Sequence, residues 1–116
     1  PNIDLGEALR GAYVTHNHPM SDTHFSFSYD DISLFMDYEL SQLKGVDFRY
    51  TYIIQRTLET SYADIAELEH AYKVENYTEF LEQVFYGNVD ADLDEYDFYV
   101  RRLAEKYGFR YERKKR

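Results

Sequence analysis

The chain has 116 residues, enough for one domain with one core, and 44% of them are hydrophobic and 18% aromatic, which excludes a disordered polymer. It has no Cys, which rules out disulfides and Cys-based zinc ribbons, and no apolar run of roughly 18 residues, which excludes a transmembrane helix. The net charge of −9 is uneven: residues 101–116 hold eight basic and two acidic residues, a net of +6, leaving −15 on residues 1–100.

That imbalance bears on partners. A body so acidic repels nucleic acid phosphates, so a nucleic acid contact is expected only through the basic tail 101–116. The tail itself reads as a solvated, frayed terminus. No signal peptide is visible and disulfides are absent, which fits the cytoplasm. The sequence starts at Pro1 without Met, so either the initiator was removed or this is an excised fragment.

In chain order, residues 10–16, RGAYVTH, form a short apolar run that suits a buried strand. Asn17, Pro19, Ser21 and Asp22 mark residues 17–28 as a loop. Ser28 is a good N-cap with Asp31 at N3, and Ile32, Phe35, Met36, Leu40 and Leu43 follow at helical spacing. Gly45 is expected to end that helix as a left-handed cap. VDFRYTYI then alternates, with Val46, Phe48, Tyr50, Tyr52 and Ile54 on one face, the clearest strand signal in the chain. Its tyrosines suit a core or a dimer interface, so a homo-oligomer is among the expectations.

Three amphipathic helices follow: about 61–73 (Tyr62, Ile65, Leu68, Tyr72), about 78–86 (Phe80, Leu81, Val84, Phe85; stop at Gly87) and about 92–107 (Leu93, Tyr96, Val100, Leu103, Tyr107; stop at Gly108). Asp90, Asp92 and Asp94 have the beginning of a calcium loop but lack its central Gly and final Glu, so they read as a linker and helix start. The expected fold class is α/β (α+β): a partial sheet with a helix after the histidine loop, then a three-helix C-terminal half. This is one domain, 1–116, with an αβ half at 6–57 and a helical half with a basic tail at 58–116.

The chemistry gathers in the first 31 residues. His16, His18 and His24 fall within nine positions. On extended chain, residues one apart share a face, so His16 and His18 can meet one ion. Imidazole is the commonest metal ligand, and a carboxylate at the next helix start supplies a third donor, leaving a position for water. Pro19 stiffens the turn after His18. His24 reads as a loop residue and His70 as structural. Ser28 and Asp31 also have a plain reading as N-cap and N3 acid.

His16-Asn17-His18-Pro19 followed by a loop and Ser28-Tyr29-Asp30-Asp31 resembles the JAB/MPN (JAMM) metallopeptidase motif, H-x-H-P…S-x-x-D. The stretch from about residue 6 to 55 is similar to the RadC-like bacterial branch and to JAB-like domains of phage proteins. The resemblance implies zinc as cofactor, held by His16, His18 and Asp31, with Asp30 as the alternative carboxylate. It implies Ser28 as donor to a developing oxyanion, a peptidase or isopeptidase type of hydrolysis, and a protein or peptide as substrate or partner. The general-base Glu that the family places upstream has no counterpart here, since Glu7 stands too close to His16. The other reading, from a different class, is a non-catalytic interaction or structural domain of a phage or mobile-element protein.

Overall fold

The computed structural model describes residues 10–17, 25–61 and 64–116. The elements run β1 (Tyr13–Asn17), α1 (Tyr29–Asp37), β2 (Gln42–Val46), β3 (Tyr50–Gln55), α2 (Ile65–Glu69) with a π-helical turn (His70–Val74), α3 (Tyr77–Phe85), α4 (Glu95–Tyr107) and β4 (Arg110–Lys115). Among the described residues the sheet has four strands in the order β1-β2-β3-β4. β1 and β2 are parallel, joined through α1, and the other two pairings are antiparallel. The fold is therefore mixed α+β, as expected.

Side-chain alternation divides the sheet into two faces. Leu43, Tyr52 and Ile54 are fully buried beneath the helices, whereas Tyr13 on the opposite face is 74% exposed. Phe27, Ile32, Phe35 and Leu40 fill the core from the α1 side, and Tyr72, Phe80, Tyr99 and Leu103 from the C-terminal helices. Each such side chain contributes about 1.5–3 kcal/mol on burial. The rings meet edge to face, as in Phe27–Tyr52 at 4.9 Å and Tyr72–Tyr99 at 5.4 Å, the arrangement that ring quadrupoles favour.

Several boundaries differ from the expectation. α1 is shorter: it stops at Asp37, and Glu39 takes a left-handed φ of 50°. Leu40 and Leu43 are buried from the connection and from β2, not from a helix. Gly45 is no cap. It lies inside β2, paired with His16 on one side and Tyr52 on the other, without a positive φ. The alternating stretch is two strands, because Asp47 turns the chain. Its Oδ1 accepts the backbone N–H groups of Arg49 and Tyr50, each at 2.8 Å, a side-chain mimic of a backbone turn.

Gly87 and Gly108 do follow helices, with φ of 77° and 78°. α2 continues into the π turn, which places both Ala71 and Tyr72 in the core. Tyr62 lies outside the described residues, as does the side chain of Ile65.

The basic tail is ordered structure. Tyr52 pairs with Arg113 and Ile54 with Tyr111, so β4 completes the sheet that the N-terminal half begins. Its cations, and those of α4, meet carboxylates: Arg101 meets Asp97, Arg102 meets Glu79, Lys106 meets Glu75, and Arg113 meets Asp94 and Asp97. The tail is folded against the acidic body of its own chain. No helix among the described residues is long and apolar enough to cross a membrane.

The buried tyrosines give the fold a defined alkaline limit. Burial pushes the phenols of Tyr52, Tyr72, Tyr99 and Tyr111 well above their ordinary range, and Tyr107 up to about 12. In the unfolded chain these groups ionise near pH 10. The folded state holds the protons more tightly, so their stabilisation is complete below about pH 10 and is lost as pH rises beyond it. Tyrosinate absorbance and loss of circular dichroism are expected to rise together above about pH 10. Full ionisation of the buried tyrosines in a still-folded chain would contradict this.

Candidate functional site

The β1–α1–β2 crossover sets the geometry of the candidate site. Because β1 and β2 are parallel, the helix between them runs back against the strands. Its start therefore returns to the end of the sheet at which β1 finishes. His16 and Asn17 close β1, and Ser28 opens α1. Of His16 the backbone is described. It pairs with Gly45, whose row continues through Tyr52 and Arg113. His18, Pro19, His24 and Glu7 lie outside the described residues.

Ser28 and Asp31 form a reciprocal capping box. Ser28 Oγ accepts the Asp31 N–H at 3.3 Å, and Asp31 Oδ2 accepts the Ser28 N–H at 3.0 Å. The Ser28 hydroxyl also lies 3.1 Å from Asp31 Oδ2, as donor. Both residues therefore have the structural role that their spacing expects. To serve a developing oxyanion, the Ser28 hydroxyl has to rotate away from Asp31. Asp30, the alternative carboxylate, is exposed in the same first turn.

The segment that delivers Ser28 is tied from three directions. Arg113 Nη1 donates to the Phe25 carbonyl at 3.3 Å. Ser26 Oγ and Tyr111 Oη lie 2.6 Å apart in a hydrogen bond. Tyr72 Oη donates to the Phe27 carbonyl at 2.7 Å, fully buried. Phe25 itself has φ of 60°, uncommon for an aromatic residue, and its ring rests edge-on against Phe48 at 5.7 Å and Tyr50 at 6.2 Å.

These positioning residues, Tyr72, Tyr111 and Arg113, escape the sequence reading. They lie 45, 85 and 88 residues from their partners, and no local pattern carries contacts of that range. Negative charge also pervades the site. Asp31 adds to burial in raising the phenols of Tyr52 and Tyr72, and Asp47 raises Tyr52 further.

Two imidazoles and a helix-start carboxylate are a donor set that suits zinc with an open position. Among the described residues no three His, Asp or Glu side chains converge as a metal site. The side chain of His16 and all of His18 lie outside the described residues. His70 is exposed, with Nδ1 3.2 Å from Glu75 Oε1, in keeping with a structural surface role. The Asp90–Asp94 linker is closed by its own backbone: Asp90 Oδ1 accepts the N–H groups of Asp92 and Leu93, each at 2.8 Å.

No protein-family model, curated protein or solved structure matches the chain.

Proposed function

We propose that this chain is a zinc-binding domain of JAB/MPN type that acts on peptide or isopeptide bonds. His16, His18 and Asp31 are its ligands, and Ser28 is the hydroxyl that steadies the oxyanion. The observation that carries the reading is the crossover. A strand that closes with His16 and Asn17 and a helix opening with Ser28 and Asp31 lie toward one end of a parallel β1–β2 pair. Zinc, when bound, supplies Lewis acidity at the scissile carbonyl.

The chain's own residues do the rest. The capping box fixes the Asp31 carboxylate to the first turn, so its direction is set by the helix. The ties from Arg113, Tyr111 and Tyr72 hold the Ser28 segment still. The general base belongs to a carboxylate beyond these residues, so peptide hydrolysis is proposed for the assembled site and zinc binding for this chain.

Elemental analysis of the purified wild type beside His18→Ala and Asp31→Asn tests the reading. Stoichiometric zinc is expected in the wild type, with at least a tenfold weaker affinity in both variants. Asp31→Asn keeps an oxygen able to accept the Ser28 N–H, so it separates ligand loss from cap loss. Equal, negligible zinc in all three overturns the proposal.

A second reading, a non-catalytic interaction domain, has its own observation. Tyr77, Leu81 and Phe85 recur every fourth residue along α3 and are 44%, 47% and 83% exposed, beside Val74 and Tyr86. An apolar stripe of that kind suits a protein partner.

A further inference from the structure

The apolar side chains that this fold leaves in solvent are not scattered. Of the eight large ones exposed among the described residues, five lie within residues 74–86. α3 gathers them. It turns Phe80 into the core and presents Tyr77, Thr78, Leu81, Glu82 and Phe85 outward. Tyr77, Leu81 and Phe85 stand four residues apart, so they form one ridge along the helix. Val74, 64% exposed, precedes the ridge. Tyr86, 69% exposed, closes it, with its ring centre 5.4 Å from that of Phe85.

The strand tyrosines, which suit an interface in the sequence, are occupied within the chain instead. Tyr52 is fully buried, and Tyr50 lies under the Arg113 guanidinium.

The size of the α3 stripe says what could cover it. With about 150–250 Å² for a whole aromatic side chain, the five exposed fractions amount to about 500 Å² of bare apolar surface. That is near the upper end of what a monomer leaves in one patch, about 300–600 Å². Two such patches face to face remove about 1,000 Å² from water, which reaches the lower bound for a specific interface before any polar rim is added.

The stripe also suits a copy of itself. Ridges of four-residue spacing pack against one another, the commonest way in which helices cross. An antiparallel second α3 sets Tyr77 of each copy toward Phe85 of the other, with Leu81 against Leu81 on the two-fold axis. Every contact is then made twice. Charge leaves the approach open. Glu79 is met by Arg102 and Glu75 by Lys106 within the chain. Glu82 is the one charge among the exposed residues of α3.

We propose that the α3 stripe is a homodimer interface, in which a second copy of this chain packs its own Tyr77–Leu81–Phe85 ridge across a two-fold axis at Leu81. The proposal rests on the second reading above, to which it gives a partner, and makes no use of zinc. Both copies carry a net charge of −9, and Glu82 falls on the same side of the pair in each. Pairing should therefore tighten as salt screens that repulsion.

Sedimentation equilibrium of the full chain across a range of concentrations measures the pairing. A mass of two chains is expected at high concentration, with an association constant that rises with salt. Leu81→Asp sets two carboxylates on the axis and should weaken pairing at least tenfold. Its position is 47% exposed, so circular dichroism should be unchanged. Leu81→Cys introduces the only thiol in the chain and should crosslink two copies on mild oxidation, whereas Lys114→Cys, on exposed β4, should not. A wild type that is monomeric at every concentration overturns the proposal and assigns the stripe to a different protein, which leaves the interaction reading standing. A dimer that Leu81→Asp leaves intact, or that salt weakens, overturns it as well, because pairing then uses another face. Leu81→Asp should hold as much zinc as the wild type, so pairing and metal binding are read separately.

Discussion

Replacing Arg113 by Ala is expected to destabilise the fold by about 3–5 kcal/mol, the cost of breaking a buried ion pair by removing one partner. The Arg113 side chain is 11% exposed, and its guanidinium is shared among several acceptors. Nη2 lies 2.7 Å from Asp94 Oδ1, Nε lies 3.4 Å from Asp97 Oδ1, and Nη1 donates to the carbonyls of Leu93 and Phe25. The group also stacks 4.1 Å from the centre of the Tyr50 ring. Alanine leaves two carbonyls without this donor and Asp97, 7% exposed, with less compensating charge. Tyr111 and Arg101, which also bond Asp97, offset part of that loss.

Small domains have only about 5–15 kcal/mol in total, so the variant should sit near the edge of folding. Urea unfolding followed by circular dichroism measures it, with an unchanged slope showing that the native state is comparable. Arg113→Lys keeps the charge without the planar fork and should recover only part of the loss. A loss below about 1 kcal/mol for Arg113→Ala would mean that the tail behaves as the frayed terminus its composition suggests. Because Arg113 also holds the Phe25 carbonyl, the segment before Ser28 should loosen along with the sheet.

The contrast at residues 110–116 shows what local patterns can and cannot reveal. RYERKK alternates as a strand, but its inward positions carry Tyr111 and Arg113, so the alternation is masked by charge. Arg113 is tolerated inside because Asp94 and Asp97, at the start of the helix just before β4, are brought against it by the fold and not by any pattern within the strand. Where the determinants are local, the reading succeeds. Ser28 and Asp31 form the expected box because a cap and its N3 acid are three residues apart. Gly87 and Gly108 terminate helices as expected, because a left-handed residue favours glycine whatever the surroundings.

The end of α1 departs from the sequence pattern for a physical reason. Leu40 and Leu43 continue the helical period by coincidence, so only the left-handed backbone at Glu39 marks the break, and Glu carries no signal for it. The candidate site divides in the same way. The motif and its cap are local, whereas the three side chains that brace the Ser28 segment come from the other half of the chain.

Gly45→Ala is the sharper test of where that division falls. At a left-handed helix cap the change would cost about 1 kcal/mol, whatever stands at residue 52. In an unobstructed strand the added methyl would help slightly, since glycine weakens strands. In this fold a Cβ at Gly45 would overlap the Tyr52 ring, closest to Cε2 and only 2.7 Å from Cδ2 and 2.9 Å from Cζ. Tyr52 is fully buried, wedged edge-on against Phe27 at 4.9 Å, so the ring has nowhere to turn. Overpacking of this kind costs about 3 kcal/mol.

A double-mutant cycle isolates the cause. Tyr52→Leu alone destabilises by leaving a cavity, but in that background Gly45→Ala should become neutral or mildly stabilising. That corresponds to a coupling of about 3 kcal/mol between the two sites. Equal costs in both backgrounds would place the strain in the backbone of Gly45 and not in the ring above it. The same pair also reports on the candidate site, because the backbone of His16 is hydrogen-bonded into the β2 strand at Gly45. If Tyr52 pushes β2 outward in Gly45→Ala, the end of β1 moves with it. The zinc binding proposed for this end of the sheet should then weaken with stability in the single variant and return in the double.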